Sequence, residues 1–195
     1  DEDSVDLEDW PRPIRVYTLG RFAVLRDDEV VAGSSGKAPK RPLELLRALI
    51  ALGSYRVSVE RLCEALWPDA EGDAAARSFK PTLHRLRRLL GDEALELREG
   101  RLSLNPRLCW VDVWAVERRV GIIERSDPST AEGTEALETT VARMLELYRG
   151  PFLAVDSDAA WTLPLREGLQ GRVLAAVPKV AGRLDTKRID QLREA

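Results

Sequence analysis

The sequence is short of the side chains that metal centres and catalytic sites require. It holds one histidine and two cysteines among 195 residues. A transition-metal site needs several such ligands together, and nucleophilic catalysis needs a nucleophile beside a base and anion-binding groups. Cys63 and Cys109 lie far apart in the apolar strings RLCEAL and RLCWVD, which favours buried free thiols. We therefore expect no catalytic residue, no metal and no cofactor, and a protein that is not an enzyme.

A long hydrophobic run is also missing. No apolar stretch of the sequence approaches the roughly 18 residues that span a bilayer. The N-terminus is acidic, whereas a secretory signal would be basic. Together with the free thiols, these absences predict a cytoplasmic protein with no membrane partner. Because the chain begins with Asp1 and not with Met, we expect it to have been cut from a longer protein with further domains upstream.

The string GSSGKAPK does not complete a phosphate-binding loop. That motif requires a glycine where Val31 stands and a serine or threonine where Ala38 stands. The string is therefore interpreted as a loop that leads into a helix.

Charge is distributed unevenly along the chain. The net charge is −3, but residues 1–11 hold six acids and no base, whereas residues 12–107 hold 18 bases and 13 acids. Residues 108–195 carry a net charge of −2. Such a basic middle segment indicates an anionic partner in spite of the acidic total. Residues 1–13, which end in WPRP, are interpreted as an acidic linker that is disordered or extended.

Hydrophobic patterning in residues 14–67 predicts a small antiparallel sheet and two helices. The string IRVYTLGRFAVLRDDEVV alternates polar and apolar residues and breaks at Gly20 and at Asp27–Asp28, which indicates two or three strands. KRPLELLRALIAL has helical periodicity, with a proline that the first turn tolerates. VSVERLCEALWPD predicts a second helix that begins at the N-cap Ser58 and ends at Trp67–Pro68.

The segment ARSFKPTLHRLRRLLG predicts a third helix with an apolar face and a cationic face. At about 100° per residue, Phe79, Leu83, Leu86 and Leu90 share a core-facing stripe. Pro81 projects onto the outward face, where its missing N–H predicts a kink, or a helix that begins only near Ser78 or Phe79. No acid relieves the repulsion among the cations, which favours an anionic partner over a merely solvated face. The basic side chains of the outward face and its flanks are Arg77, Lys80, His84, Arg85, Arg87 and Arg88.

After Gly91, the string ALELREGRLSLNP predicts a β-hairpin with its turn at Glu99–Gly100. Three helices followed by a hairpin are the order of a winged helix-turn-helix. In such a fold a helix enters the major groove, where arginines form bidentate contacts with guanine. We therefore predict that the partner is double-stranded DNA.

Further cations are candidate DNA contacts outside the third helix. Arg98 and Arg101 stand beside the hairpin tip, from which they would reach the backbone or the minor groove, although an ordinary solvated tip explains them equally well. Lys37, Lys40 and Arg41 surround the start of the first helix and are candidate phosphate contacts. His84 has no second metal ligand and no paired base beside it, so surface exposure or a phosphate contact is expected.

The C-terminal half is predicted to be all helical. Asp112 is placed to cap a helix that extends to about Arg125, and TEALETTVARMLELY shows apolar residues at helical spacing. A third helix is predicted from Pro164 towards Leu184, interrupted at Pro178.

The strings KRPLELLRALIAL, VSVERLCEALWPD and TLHRLRRLLGDE resemble the DNA-binding domain of OmpR-type winged-helix regulators. VDVWAVERRV, LELYRGPFL and WTLPLR resemble the first helices of the bacterial transcriptional activator domain that follows it in SARP-type and MalT-like regulators. The resemblance extends from about Ile14 to about Leu184, and ALWPD with LYRGPFL is its most specific part.

The resulting fold prediction is an α+β winged helix-turn-helix followed by an all-α, helical-repeat-like segment. Its first part has a small antiparallel sheet, three helices and a C-terminal β-hairpin wing. We assign residues 1–13 to the acidic linker, 14–108 to the DNA-binding domain and 109–195 to a truncated activator domain.

The resemblance implies a transcriptional activator that binds direct repeats near promoters. It also implies contact with the sigma or alpha subunit of RNA polymerase through the turn Pro68 to Asp73, and sensory or ATPase domains upstream in the same chain. Asp69, Glu71 and Asp73 are the acids of that turn. The alternative is a protein-interaction or ligand-sensing module whose winged helix does not read DNA.

Overall fold

The computed structural model describes residues 12–33, 39–70, 73–126, 131–154 and 159–180. The chain forms two compact units. The first comprises Asp1–Val16, Ala23–Trp110 and Ala159–Thr162, and the second comprises Tyr17–Phe22, Val111–Asp158 and Leu163–Ala195. Most of the predicted acidic linker, together with Lys37 and Glu71, lies outside the described residues.

Two sheets belong to the N-terminal part of the fold. Strands β1 (Ile14–Tyr17), β2 (Ala23–Arg26) and β3 (Glu29–Gly33) form a sheet with the later strand β7 (Cys109–Val111), in the order β3-β2-β1-β7. The turn between β2 and β3 places Asp27 and Asp28 at positive φ (50° and 68°), as a tight hairpin turn of two residues requires. The predicted strand breaks are therefore confirmed.

The first two helices follow the predicted pattern. Helix α1 covers Lys40–Ala51 and α2 covers Val59–Leu66. Ser58 caps α2, because its hydroxyl accepts a hydrogen bond from the backbone N–H of Arg61 at 3.2 Å. Trp67 ends the helix immediately before Pro68. The apolar faces of these helices form the core of the first unit with the third helix and the hairpin.

Helix α3 covers Ala74–Leu90, so the expected late start near Ser78 or Phe79 is wrong. Pro81 lies inside the helix, where it removes the donor to the carbonyl of Arg77. Both side chains are exposed, so water can replace that donor. Two side-chain hydroxyls near Pro81 form hydrogen bonds with backbone carbonyls of the preceding turn. The hydroxyl of Ser78 donates to the carbonyl of Ala74, and the hydroxyl of Thr82 donates to the carbonyl of Ser78.

The predicted hairpin is present and has an unpredicted third strand. Strands β5 (Leu95–Arg98) and β6 (Arg101–Leu104) pair with Leu95 opposite Leu104 and Leu97 opposite Leu102. Glu99 and Gly100 both take positive φ in the turn. The two-residue strand β4 (Val57–Ser58), which directly precedes α2, pairs with β6. This pairing ties the hairpin to the start of the second helix.

The second unit contains three α-helices among its described residues. Helix α4 covers Asp112–Arg125 as predicted, α5 covers Ala131–Leu147 and α6 covers Leu163–Ala176. Helix α5 begins three residues before Thr134, where the predicted helical string starts. A 3-10 helix over Val177–Val180 follows α6, where Pro178 was expected to interrupt the helix. The apolar residues at helical spacing in the string TEALETTVARMLELY are all buried: Leu137, Val141, Met144, Leu145 and Tyr148.

A buried carboxylate orders the start of the second unit. Asp112 is only 2% exposed. One of its oxygens accepts hydrogen bonds from the backbone N–H groups of Thr18 (2.7 Å) and Leu19 (2.9 Å), and the other accepts from the Thr18 hydroxyl and the Val113 N–H. Burial raises the pKa of Asp112, whereas these four donors lower it. Asp112 is the first residue of α4, Val111 is the N-cap, and no side chain caps the helix, so the predicted cap is wrong. The carboxyl group instead binds a distant segment of backbone.

Residues 18–20 pack against the string RGPFL, which covers residues 149–153. Leu19 forms an antiparallel bridge with Phe152, and the N–H of Leu153 donates to the carbonyl of Thr18 at 3.0 Å. Gly20 has φ +75°, and a Cβ atom there would lie 2.6 Å from the carbonyl oxygen of Arg149. The approach therefore requires glycine at position 20.

Arg166 also contacts the backbone of the string RGPFL. Its guanidinium donates to the backbone carbonyls of Phe152 (2.8 Å) and Leu153 (2.9 Å).

Among the described residues, no helix is both long and apolar enough to cross a membrane.

We expect Asp112→Asn to lower the free energy of unfolding by about 2–4 kcal/mol, because an amide NH2 would face backbone N–H donors that need an acceptor. Urea unfolding at pH 7 measures the change. The exposed Asp92 offers a control, since Asp92→Asn should leave stability within about 0.5 kcal/mol. Because burial raises the pKa of Asp112 above the usual range of an aspartate, the stability that its protonated form contributes should be lost as pH rises through this folded-state pKa. A stability loss equal to the control's would contradict this account.

We expect Gly20→Ala to destabilise the protein by about 2–4 kcal/mol, through left-handed backbone strain and displacement of the Arg149 carbonyl. The matched control is Gly168→Ala, because a Cβ at that helical position meets no atom within 4 Å. That substitution should raise stability by about 0.5–1 kcal/mol. Thermal unfolding of both variants decides the matter, and equal shifts would show that no close approach constrains position 20.

Candidate nucleic-acid interface

Helix α3 separates a buried stripe from a cationic face. Phe79, Leu83, Leu86 and Leu90 are at most 4% exposed. This packing fixes the rotation of the helix about its axis, so the opposite face must point to solvent. At about 1.5 Å per residue, the basic positions extend along about 17 Å of the helix. The exposed side chains of that face, which we call the α3 basic face, are Arg77, Lys80, His84, Arg85 and Arg88.

The α3 basic face has no internal counter-charge among the described residues. None of its five side chains forms an ion pair or a side-chain hydrogen bond with another described residue. Arg77 and Lys80, like Arg85 and Arg88, are neighbours at i,i+3, where like charges destabilise a helix. Arg88 alone gains from its position in the last turn, next to the negative end of the helix dipole. The face therefore retains electrostatic potential for an external anion.

Arg87 differs from the other basic side chains of α3 because it bonds to the hairpin. It is half-buried, and its Nη2 donates to the backbone carbonyl of Leu95 at 3.2 Å. Its Nε is buried without a hydrogen-bond partner. The side chain lies on the flank of α3 that faces the hairpin, so it links α3 to the start of β5. The structure thus gives Arg87 a supporting contact with the hairpin, and its role as a phosphate contact stays a prediction.

The hairpin arginines are partly neutralised. Arg98 lies 3.5 Å from Glu96, and Nη1 of Arg101 donates to the carbonyl of Arg56 at 3.2 Å. Arg56 in turn lies 3.3 Å from Glu99. The structure thus adds Arg56, which no sequence pattern singled out because it stands alone in the loop between α1 and β4. All three arginines are exposed, so they remain accessible to a partner.

The basic residues at the start of α1 lie apart from this set. Lys40 and Arg41 are both exposed. Arg41 donates to Glu44 at 2.8 Å and, over a longer distance of 3.4 Å, to the carbonyl of Leu66 at the end of α2. Its first role is therefore to connect α1 with α2. Lys40 lies at the positive end of the α1 dipole, which does not favour a cation there.

An acidic groove lies between α2 and the first turn of α3. Its volume is about 550 Å³, and Glu60 and Glu64 border it one helical turn apart. Burial raises the pKa of Cys63, so its thiol stays protonated. Asp69 and Asp73, the described acids of the predicted polymerase-contacting turn, are exposed. The apolar lining comprises Val59, Cys63, Trp67, Pro68, Ala70, Ala75 and Ala76.

Within the described ranges, no group of three histidine, cysteine or acidic side chains could hold a metal ion. The geometry offers an extended cationic surface and an acidic groove, both of which suit macromolecular contacts.

The fold is similar to that of a solved structure described as "Mycobacterium tuberculosis EmbR in complex with low affinity phosphopeptide". The two match with a TM-score of 0.68 and 19% sequence identity, over 88% of this chain and 45% of EmbR. The likeness establishes a mixed α/β fold with small sheets and helices, and this chain spans less than half the length of its neighbour. No family model matches the sequence, and no curated protein matches it.

Proposed function

We propose that this chain is the DNA-binding part of a bacterial transcriptional activator of the SARP type, joined to the beginning of its activator domain. The observation that carries the proposal is the α3 basic face, whose five exposed side chains lack counter-charges in the described part of the chain. An unpaired cationic helix suits a polyanion, and the width of an α-helix fits the major groove.

The proposed fold assignment is a winged helix-turn-helix over residues 14–108. Helix α3 is its recognition helix, and the β5–β6 hairpin is its wing. The support comes from the order of three helices and a hairpin, and from Arg87, which holds the hairpin backbone beside α3. The helical residues 109–195 are the proposed activator domain.

The positions on α3 suggest which side chains meet base edges. Arg77, His84 and Arg88 lie within about 40° of one another on the helix, at about 100° per residue. Arg77 and Arg88 in the centre would form forked contacts with guanine. Lys80 and Arg85 flank them and would neutralise phosphates, together with Lys40. The exposed Arg56, Arg98 and Arg101 would place the hairpin on the adjacent backbone or minor groove.

EmbR supports the regulatory assignment through its fold. It is a SARP-type regulator with a winged-helix domain, and this chain aligns with 45% of it. The phosphopeptide is a ligand of EmbR, and we do not transfer it to this chain. A cytoplasmic location and additional sensory or ATPase domains in the same polypeptide belong to our proposal.

The acidic groove and its turn are the proposed contact with RNA polymerase. Glu60 and Glu64 repel each other across one helical turn, and Asp69 and Asp73 add exposed negative charge nearby. A basic helix of a sigma or alpha subunit would supply cations for these acids and apolar side chains for the groove.

In vitro selection of random and genomic duplex DNA on the whole chain should converge on one motif, with affinity that falls steeply as salt rises. Arg77→Ala and Arg88→Ala should each weaken binding by about 5- to 150-fold and relax specificity at particular positions. Lys80→Ala should weaken binding to all sequences and reduce the salt slope by about 1.

The matched control for these variants is Arg149→Ala, which removes an exposed arginine of the second unit. It should leave the motif and the affinity almost unchanged. If selection yields no motif and affinity is insensitive to the α3 variants, the interaction-module alternative becomes the better account of the cationic face.

Charge reversal in the turn should uncouple DNA binding from activation. For the triple variant Asp69→Lys, Glu71→Lys, Asp73→Lys we expect at least about a fivefold loss of transcription in a reconstituted assay, since like charges across an interface are costly. Operator affinity should not fall. Reversal of the exposed Glu135, Glu146 and Glu167 of the second unit provides the control. Undiminished activation by the turn variant would refute a polymerase contact there.

A further inference from the structure

The same chain that exposes the α3 basic face also contains a segment of opposite charge. Residues 1–11, which we call the acidic leader, have the sequence DEDSVDLEDWP with six acids and no base. The α3 basic face carries four permanent positive charges, on Arg77, Lys80, Arg85 and Arg88, and its partners are not found among the described residues. The two sets of charges are complementary in sign and similar in number.

The leader is long enough to reach the face. It joins the described chain at Arg12, which belongs to the same compact unit as α3. Eleven residues extend over at most about 36 Å, at about 3.3 Å per residue. A unit of this size has a radius of gyration of about 12 Å and hence a diameter of about 31 Å. The leader also starts near the end of α3, because the N–H of Ile14 donates to the carbonyl of Leu108, and the thiol of the next residue, Cys109, lies 3.8 Å from the carbonyl of Ala94, four residues beyond the end of α3.

Three other exposed arginines of the first unit are weaker targets. Arg56 and Arg98 each lie beside an acid, and Arg41 is paired with Glu44. An anionic segment gains more from a cation without a counter-charge, because no existing ion pair has to be broken. Trp10 of the leader could additionally stack on an exposed guanidinium of the face.

We propose that the acidic leader binds the α3 basic face when DNA is absent, and so competes with DNA for the recognition helix. The effect on DNA rests on the proposed function, whereas the contact itself does not. A short tether gives the leader a local concentration in the millimolar range. Because exposed ion pairs are individually weak, we expect the leader to reduce DNA affinity by about 3- to 20-fold at low salt. At about 1 M salt, where the Debye length is about 3 Å, the reduction should vanish.

The first test compares two triple variants of the whole chain that change the net charge equally. Asp3→Asn, Asp6→Asn, Asp9→Asn removes half of the leader's charge. Glu135→Gln, Glu146→Gln, Glu167→Gln removes the same charge from exposed positions of the second unit. At low salt the leader variant should bind operator DNA more tightly than the control variant, and the salt slope of its affinity should be steeper.

The second test needs no DNA. His84 is the only histidine of the chain and lies on the α3 basic face, so its imidazole ring protons give an isolated NMR signal. In the unmodified chain this signal should move with added salt towards its position in the leader variant. The control variant should behave like the unmodified chain. The signal should not depend on protein concentration if the contact lies within one molecule.

The outcomes separate the inference from the function on which it draws. Specific DNA binding with equal affinities and identical His84 signals in both triple variants would overturn the leader contact and leave the proposed function intact. A leader-dependent His84 signal without specific DNA binding would support the contact and refute the function. A His84 shift that grows with protein concentration would overturn the intramolecular contact proposed here.

Discussion

The buried carboxylate of Asp112 is the interaction on which the second unit depends most. In the described part of the chain no cation pairs with it, and its charge is compensated there by hydrogen-bond donors, two of which are the backbone N–H groups of Thr18 and Leu19, more than 90 residues earlier. With those residues fixed, Gly20 can approach the backbone at Arg149 and Gly150. The guanidinium of Arg166 donates hydrogen bonds to the carbonyls of Phe152 and Leu153. The strings VDVW, RGPFL and LPLR therefore meet because each satisfies backbone groups of another. Their resemblance to a known domain reflects a shared structural junction and does not by itself identify a binding site.

In the first unit, packing and charge act on the same helix in opposite directions. The buried stripe of α3 fixes its rotation, and this in turn forces the repelling cations to share one exposed face. Arg87 differs from its neighbours because the flank on which it lies faces β5, where a carbonyl is available. One turn of helix thus contains both a side chain that supports the fold and side chains that are left for a partner. A substitution at Arg87 would consequently confound stability with binding, whereas Arg77 has no such stabilising contact and reports on binding.

Local patterns in the sequence were sufficient for most helices and for the hairpin, because periodicity and turn residues act over a few positions. The cap at Ser58, the positive-φ turn at Glu99–Gly100 and the buried face of α5 all follow from such patterns. Strand β4 was not predicted, because two residues are too few to show an alternating pattern. The strand is defined by its pairing with β6. The sequence did not predict the early start of α3. The free-energy cost of the hydrogen bond lost at Pro81 depends on whether water reaches the carbonyl of Arg77, and the sequence alone does not show this exposure. The separation of Arg87 from the other cations, and the partners of Asp112, required contacts between distant segments.

The net charge of −3 is a poor guide to the partners of this protein, since charges act over a Debye length of about 8–10 Å at ordinary salt concentrations. A partner that approaches α3 encounters five basic side chains, whereas one that approaches the groove beside α2 encounters Glu60 and Glu64. Two partners of opposite charge can therefore be attracted to the first unit without competing for one surface. The same reasoning gives the acidic leader its significance. Its charge matters only at the surfaces that its tether reaches, and the most favourable of these is the face that carries cations without acids.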